Sequence, residues 1–200
     1  KKTISNRTIG ISKNNFEFLV SNLKNVNNYS WPITKIEIFN QRNNSNESLV
    51  FASENKKNFF LIKYTDLFNL FENACKKSKK IFFKIVTSKM IENLKIKNKY
   101  NFIINSENKN ILAKKYFNKV IKKDYKSSAF TGIINHYKIK NNTAIQIFTK
   151  YGPLAFLPLS KTKTSVVYSV KKKYHLKLKN IKKIILKYNK FYKIKKLNEL

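Results

Sequence analysis

The stretch FTKYGPLAFLPLSKTKTSVVYSV, residues 148–170, differs from the rest of the chain. Lys, Asn and Ile dominate elsewhere, whereas this stretch contains one of the three glycines and two of the three prolines, set between apolar runs. The runs LAFLPL and SVVYSV, separated by polar residues, are typical of two strands joined by a turn. Because proline donates no hydrogen bond to a β-ladder, Pro153 and Pro158 are expected at strand starts or bulges. The stretch therefore predicts a buried hairpin with interrupted strands.

The sequence on both sides of this hairpin predicts a mixture of helices and strands. Helical spacing of apolar residues predicts helices over 13–23, 65–77 and 110–121, and a basic amphipathic helix in the tail. Alternating or continuous apolar runs predict strands over 31–41, on both sides of a turn at 53–57, and over 80–86, 100–105, 128–139, 143–148, 154–159 and 165–170. The fold class is therefore α+β, with an α/β character at 80–117 and an antiparallel sheet in the second half.

The composition favours one folded domain with an extreme positive charge. A hydrophobic content of 42% can supply a core. The 43 Lys+Arg against 10 Asp+Glu give a net charge of +33, which would attract nucleic acid or an anionic membrane. Arg occurs only at Arg7 and Arg42, although the planar guanidinium is the better group for reading bases and phosphates. A coding bias explains lysines spread along the whole chain, and a basic nucleic-acid-binding domain without catalytic activity remains the alternative.

The sequence contains no self-contained catalytic or metal-binding motif. The single Cys75 excludes an internal disulfide and a cysteine zinc site. His136 and His175 fall in different predicted elements, and His136 is expected to be structural or solvent-facing. No HExxH, P-loop or GxGxxG is present. We therefore predict no catalytic residue and no metal site, and the lack of a long apolar run predicts a soluble intracellular chain.

The hairpin stretch closely resembles the segment RFT-x-x-GPLA-[LF]-LPL … SS-[LI]-V-W of the ubiquinone-biosynthesis hydroxylases. These are FAD-dependent aromatic-ring monooxygenases with the p-hydroxybenzoate-hydroxylase fold. Four flanking stretches resemble other segments of the family in the same order: NRTIGIS, SWPITKIEIFN, NFFLIKYTDLFNLF and SSAFTGIINHYKIKNNTAIQIFT. The resemblance extends from about Arg7 to the tail.

The resemblance implies that the fold is part of an α/β FAD-binding fold combined with an antiparallel substrate-domain sheet. It divides the chain into 1–30 (part of the FAD-binding domain), 31–63 (substrate-domain strands), 64–124 (FAD-binding domain), 125–172 (substrate-domain sheet) and 173–200 (amphipathic helix). The chain begins Lys1-Lys2 and has its only methionine at Met90. We therefore expect a central fragment, preceded by the family's GxGxxG unit and followed by its Gly-Asp segment.

The implied cofactors are FAD and NAD(P)H. The family's middle motif, [LV]-[IV]-[GA]-A-D-G-x-x-S-x-x-R, corresponds to FIINSENKNILAKK, residues 102–115. Glu107 then stands at the Asp, Asn108 at the Gly, Ile111 at the Ser and Lys114 at the Arg. Loss of the hydroxyl and of the guanidinium fork weakens the expected cofactor contacts. Arg7, Glu107, Asn108 and Lys114 are the implied cofactor-binding residues, and an altered motif also fits a decayed product without activity.

The implied reaction is hydroxylation of a phenolic ring by reduced flavin and oxygen, in a dry apolar cavity shaped by the protein. The implied substrate is a polyprenyl phenol or another aromatic compound. The residues expected to face substrate or flavin are Gly152, Pro153, Leu154, Phe156, Leu157 and Pro158. The expected location is cytoplasmic. A peripheral position at the inner membrane face, through the basic tail, and a ubiquinone-synthesis complex are further expected associations. Packing of the tail helix against its own domain is the favoured role for that helix.

Overall fold

Strands in the described part of the chain form two β-sheets. The computed structural model describes residues 7–40, 48–52, 57, 59–85, 87, 90, 101–107, 110–116, 121 and 123–198. The strands are β1 (Thr8–Ser12), β2 (Ser30–Ile33), β3 (Lys35–Asn40), β4 (Ser48–Ala52), β5 (Phe59–Lys63), β6 (Ser127–His136), β7 (Thr143–Thr149), β8 (Gly152–Ser160), β9 (Lys163–Lys171) and β10 (Ile194–Leu197). The helices are α1 (Lys13–Asn22), α2 (Tyr64–Lys77), α3 (Ile111–Tyr116) and α4 (Leu178–Tyr188), with short 3₁₀ helices at Val26–Tyr29 and Lys172–Tyr174. The fold is α+β, as predicted.

The larger sheet has seven strands in the order β10-β6-β9-β8-β7-β3-β4. Its neighbouring strands are antiparallel except β3 and β7, which run parallel. The predicted antiparallel sheet of the second half is confirmed, and the parallel pair joins it to two strands from the first half. The predicted hairpin of residues 148–170 forms β8 and β9, so it lies at the centre of this sheet.

The smaller sheet is antiparallel and has the order β1-β5-β2. Residues 31–63, predicted as strands of one substrate domain, are therefore shared between the two sheets. The chain changes sheets at Thr34, whose N–H donates to the carbonyl oxygen of Asn142 at 3.0 Å. α1 packs on the small sheet, where Phe16 stacks on Phe60 with 3.8 Å between ring centroids.

α4 covers one face of the seven-stranded sheet. Ile181 and Ile185 of the helix are fully buried in a cluster with Leu154, Phe156 and other sheet residues. The apolar stripe of the helix is thus used inside its own unit, as favoured from the sequence.

The tail helix is shorter than the predicted 173–200, and the last described residues form β10. Asn189 explains the end of the helix. Its side-chain amide donates to the carbonyl oxygen of Tyr192 at 2.7 Å, and its Oδ1 accepts from the N–H of Tyr192 at 3.1 Å. These bonds replace helical ones and turn the chain toward β6.

Residues Ser78–Tyr125 form a separate compact unit. α2 belongs to the other unit, although the predicted segment 64–124 included it. The strands predicted over 80–86 and 100–105 are wrong for the described residues: Phe82 and Phe102 are 88% and 89% exposed, and no described strand pairs with either segment. An extended segment becomes a strand only when a neighbouring strand pairs with it. A local apolar pattern does not indicate whether such a neighbour exists. The helix predicted over 110–121 is confirmed at α3, whereas residues 117–120 and the turn residues 53–56 lie outside the described residues.

Candidate functional site

The tight turn between β7 and β8 explains the glycine of the hairpin stretch. Thr149 pairs with Gly152 across this turn, and the Oγ1 of Thr149 donates to the carbonyl oxygen of Gly152 at 2.7 Å. Gly152 has φ = +142°, and a Cβ atom there would lie 2.1 Å from the carbonyl oxygen of Ser169. Only glycine permits both this backbone conformation and so close an approach of β9. The glycine is therefore required by the sheet itself.

The two prolines of β8 lie at positions that tolerate them. Pro153 is the second residue of the strand and is exposed. Pro158 is buried and borders a register shift, where pairing passes from Pro158–Thr164 to Ser160–Lys163. The expectation that these prolines mark a strand start and an irregularity is confirmed.

The residues predicted to face substrate or flavin lie on opposite faces of β8. Side chains alternate along a strand. Leu154 and Phe156 point toward α4 and are fully buried in its core cluster, on the same face as Pro158. Leu157 points the other way, where it packs on Ile33 and its neighbours. Leu154, Phe156 and Leu157 therefore do not line one surface. Leu154 and Phe156 are core residues.

The face of the seven-stranded sheet opposite α4 is partly exposed. One row of paired residues crosses five strands on this face, and each of its members is partly accessible: Ile38, Gln146, Ala155, Val167 and Thr131. A second, more exposed row consists of Asn40, Phe148, Pro153, Ser169 and Ala129. We call these ten residues the open face. The opposite face of the same strands is buried. Its residues Leu154, Phe156, Val166 and Tyr168 are 0% exposed.

The small sheet closes one end of the open face. Beyond the row that contains Ala155, the next row includes Leu157 and Ala144, which contact Ile33 and Leu61 of the small sheet. The open face is thus a surface of mostly small side chains that ends at a wall of buried apolar residues.

Ser165 lies in this wall with an unsatisfied hydroxyl. It pairs with Leu157 and Ile133, is 0% exposed, and its Oγ has no hydrogen-bond partner in the described part of the chain. Leaving a buried hydroxyl unpaired costs about 1–3 kcal/mol of stability. By strand alternation the side chain points to the same side as the open face, two residues from Val167.

Replacing Ser165 by alanine is expected to raise the free energy of unfolding by about 1 kcal/mol, because an unpaired buried hydroxyl is removed. Ser169→Ala, on the same strand and face but partly exposed, should change it by less than about 0.5 kcal/mol. Urea unfolding followed by circular dichroism measures both. A loss of stability in Ser165→Ala would mean that the hydroxyl has a partner, such as an internal water.

A cluster of polar side chains lies on the α4 side of the sheet, and its members are hydrogen-bonded within the protein. Nδ1 of His136 is 2.8 Å from the carbonyl oxygen of Tyr137, and this contact makes Nδ1 the protonated nitrogen. Nε2 then accepts from Oγ1 of Thr164 at 3.1 Å. The hydroxyl of Tyr192 donates to Oδ1 of Asn141 at 3.2 Å, and burial raises the pKa of Tyr192. His136 is 1% exposed, so the structural role expected for it is confirmed.

Sequence reasoning missed most of this cluster, because Asn141, Thr164 and Tyr192 lie on separate elements. Asn141 is the hub, since its amide also donates to the carbonyl oxygen of Ser160 at 2.7 Å and to Oγ1 of Thr164 at 3.0 Å. The indole N–H of Trp31 donates to its main-chain oxygen. The cluster joins the two sheets and the tail.

The residues predicted to bind cofactor lie in separate units. Arg7 precedes β1, is exposed, and its carbonyl oxygen accepts from the N–H of Tyr64 at 2.9 Å. Glu107 and Lys114 belong to the Ser78–Tyr125 unit and are exposed, and Asn108 lies outside the described residues.

The region around Glu107 does not form a pyrophosphate site in its described residues. The side chain of Asn110 caps α3, because its Oδ1 accepts from the N–H of Ala113 at 2.8 Å. The main-chain N–H of Ala113 is therefore already hydrogen-bonded within the protein, and the helix has only six residues. A phosphate-binding helix start requires free amides and an aligned helix dipole. In its described residues the altered motif therefore does not fit the phosphates of a flavin.

No family model matches this chain, and no curated protein matches it. Among the described residues, none of the helices is both long and apolar enough to cross a membrane. The same residues contain no cluster of three or more His, Cys, Asp or Glu side chains that could hold a metal ion.

Proposed function

We propose that the chain is part of an FAD-dependent monooxygenase that hydroxylates an aromatic ring in ubiquinone biosynthesis, with NAD(P)H as reductant. The observation that carries the proposal is the segment GPLAFLPL, residues 152–159. It resembles the hydroxylase family, and it forms the strand at the centre of the sheet, with Pro153 and Ala155 on the open face. The substrate is a polyprenyl phenol or another electron-rich phenol.

The open face supports binding of a flat phenolic ring. Ala155 and Val167 are neighbours across β8 and β9, and their small side chains leave room above the sheet. Gln146 lies on the other side of Ala155 and offers an amide that can hydrogen-bond a ring oxygen. Small-molecule sites combine such an apolar floor with a few polar groups. The chain would thus bind and orient the ring and exclude water from one side of it.

The flavin would supply the redox chemistry, since reduced flavin activates oxygen for ring hydroxylation. Within this chain the open face provides the ring-binding surface, and Arg7 remains a proposed flavin contact. Glu107 and Lys114 carry no phosphate-binding geometry, so we do not assign the pyrophosphate to them. The proposed role of the chain is therefore to shape the substrate side of the site.

Replacing Ala155 by tryptophan should block the open face. The indole would occupy the space above Val167 and Gln146, so substrate-stimulated NAD(P)H oxidation by the purified full gene product is expected to fall about 100-fold or more, in line with a loss of about 2.7 kcal/mol or more of transition-state binding. Bound flavin, measured by absorbance, should stay within twofold of the wild type.

Ser128→Trp is the matched control for Ala155→Trp. Ser128 is exposed on β6 and points to the other face of the sheet, so its tryptophan variant should retain activity within about threefold. Equal activity in Ala155→Trp and the wild type would show that the ring does not bind on the open face.

A further inference from the structure

Lysines occur along the whole chain but are densest around α4, in a stretch that contains no acidic residue. Residues 125–198 contain 18 lysines and no Asp or Glu, and 12 of these lysines fall within residues 171–196. Ion pairs among the described residues, Lys13–Glu17, Lys35–Glu37 and Lys76–Glu72, lie in the first 77 residues. The lysines around α4 therefore form a local basic surface as well as contributing to the total charge.

The solvent-facing side of α4 consists of two adjacent ridges. Residues four positions apart stack along a helix. Leu178, Lys182 and Leu186 form one ridge, in which the two leucines are 51% and 48% exposed. Lys179, Lys183 and Lys187 form the other, and all three are exposed. We call these six residues the outer surface of α4. The inward stripe is occupied by the core, because Ile181 and Ile185 are fully buried.

We propose that the outer surface of α4 binds an anionic lipid bilayer. Lysine charges attract anionic headgroups, and their long stems allow neighbouring leucines to enter the headgroup boundary. Leu178 and Leu186 are eight residues apart, about 12 Å along the helix, so both can enter the same bilayer surface. This inference deepens the proposed function and rests on it, because the proposed polyprenyl phenol substrate is dissolved in the membrane.

The leucines distinguish a bilayer from nucleic acid. A phosphate backbone attracts the lysines equally well, but two exposed leucines contribute nothing to phosphate contacts. Sequence-specific contacts favour arginine, and the segment around α4 contains none. A bilayer can contact both ridges, because its anionic headgroups attract the lysines and its headgroup boundary accepts the leucines.

The test is sedimentation of the purified chain with phosphatidylcholine vesicles, with and without 30% phosphatidylglycerol, at 0.15 M salt. At this ionic strength charges act over about 8 Å, so only lysines near the lipid contribute. The triple variant K179E/K183E/K187E is expected to lower partitioning into anionic vesicles at least ~100-fold. L178S/L186S should lower it about tenfold or more, because the buried apolar area is lost.

The matched control is K138E/K140E/K161E, which changes the net charge by the same amount at exposed positions in two turns outside α4. It should change partitioning by less than about threefold. An equal loss in the control would overturn the proposal, because total charge would then explain binding. An unchanged L178S/L186S variant would also overturn it and would favour a polyanion such as nucleic acid.

The assay contains no flavin and no aromatic substrate, so its outcome is separate from that of the proposed hydroxylase activity. Thermal melts of each variant confirm that a loss of binding does not come from unfolding. A chain that binds vesicles through α4 but hydroxylates nothing would refute the proposed function and leave the membrane surface standing.

Discussion

Gly152→Ala is expected to lower the free energy of unfolding by about 3 kcal/mol or more. The backbone there has φ = +142°, a region that side chains rarely adopt, and the new Cβ would lie 2.1 Å from the carbonyl oxygen of Ser169. That oxygen belongs to the main chain of β9, which pairs with both β6 and β8. Relief of the clash would therefore break ladder hydrogen bonds. Urea unfolding followed by circular dichroism measures the loss.

Gly10→Ala is the matched control for this prediction. Its Cβ would meet only the ring edge of Phe59, at 2.0 Å. Phe59 is partly exposed, so its ring can rotate away, and we expect a loss of about 1 kcal/mol. If Gly152→Ala costs no more than Gly10→Ala, the β7–β8 turn does not require glycine and the structural explanation of the motif is wrong.

Asn141→Ala is expected to destabilise the chain by about 3 kcal/mol, because it leaves several buried partners unpaired at once. The hydroxyl of Tyr192 loses its acceptor, and the carbonyl oxygen of Ser160 loses its donor. Each such group costs about 1–3 kcal/mol when it is unpaired. Urea unfolding followed by tryptophan fluorescence is a suitable measurement, since the only tryptophan, Trp31, donates to Asn141.

Asn142→Ala provides the control at the neighbouring position. Asn142 contributes its main-chain oxygen, which accepts from the N–H of Thr34 at 3.0 Å, and alanine keeps that oxygen. We expect a change below about 0.5 kcal/mol. Equal effects of the two substitutions would mean that the polar cluster is not organised by the Asn141 side chain.

Local patterns were sufficient for the hairpin and for the fold class. Alternation and turn residues predict β6 to β9, and the apolar stripe predicts α4, because both signals are carried by residues within a few positions of each other. The end of α4 was missed because it depends on the side chain of Asn189 bonding to Tyr192, which the apolar stripe does not report. The strands expected over 80–86 and 100–105 were wrong because apolar runs alone do not indicate a pairing partner.

Contacts distant in sequence could not be derived from the pattern. The parallel pairing begins at Lys35 and Thr143, and no local signal links two segments so far apart. The candidate site depends on this pairing, because it places Ile38 beside Gln146. The directions of the side chains along β8 could nevertheless be predicted from the sequence. The period of two along β8 separates Leu157 from Leu154, so a single cavity lined by both was excluded by strand geometry.

We propose that this chain forms the substrate side of an aromatic-ring hydroxylase. The most direct measurement is to express the complete gene that encodes it in a bacterium lacking a ubiquinone ring hydroxylase, and to quantify ubiquinone and its unhydroxylated precursor by mass spectrometry. We predict that ubiquinone returns and the precursor disappears with the wild-type gene, whereas Ala155→Trp restores neither. An absence of ubiquinone despite a folded, abundant wild-type protein would contradict the proposed function.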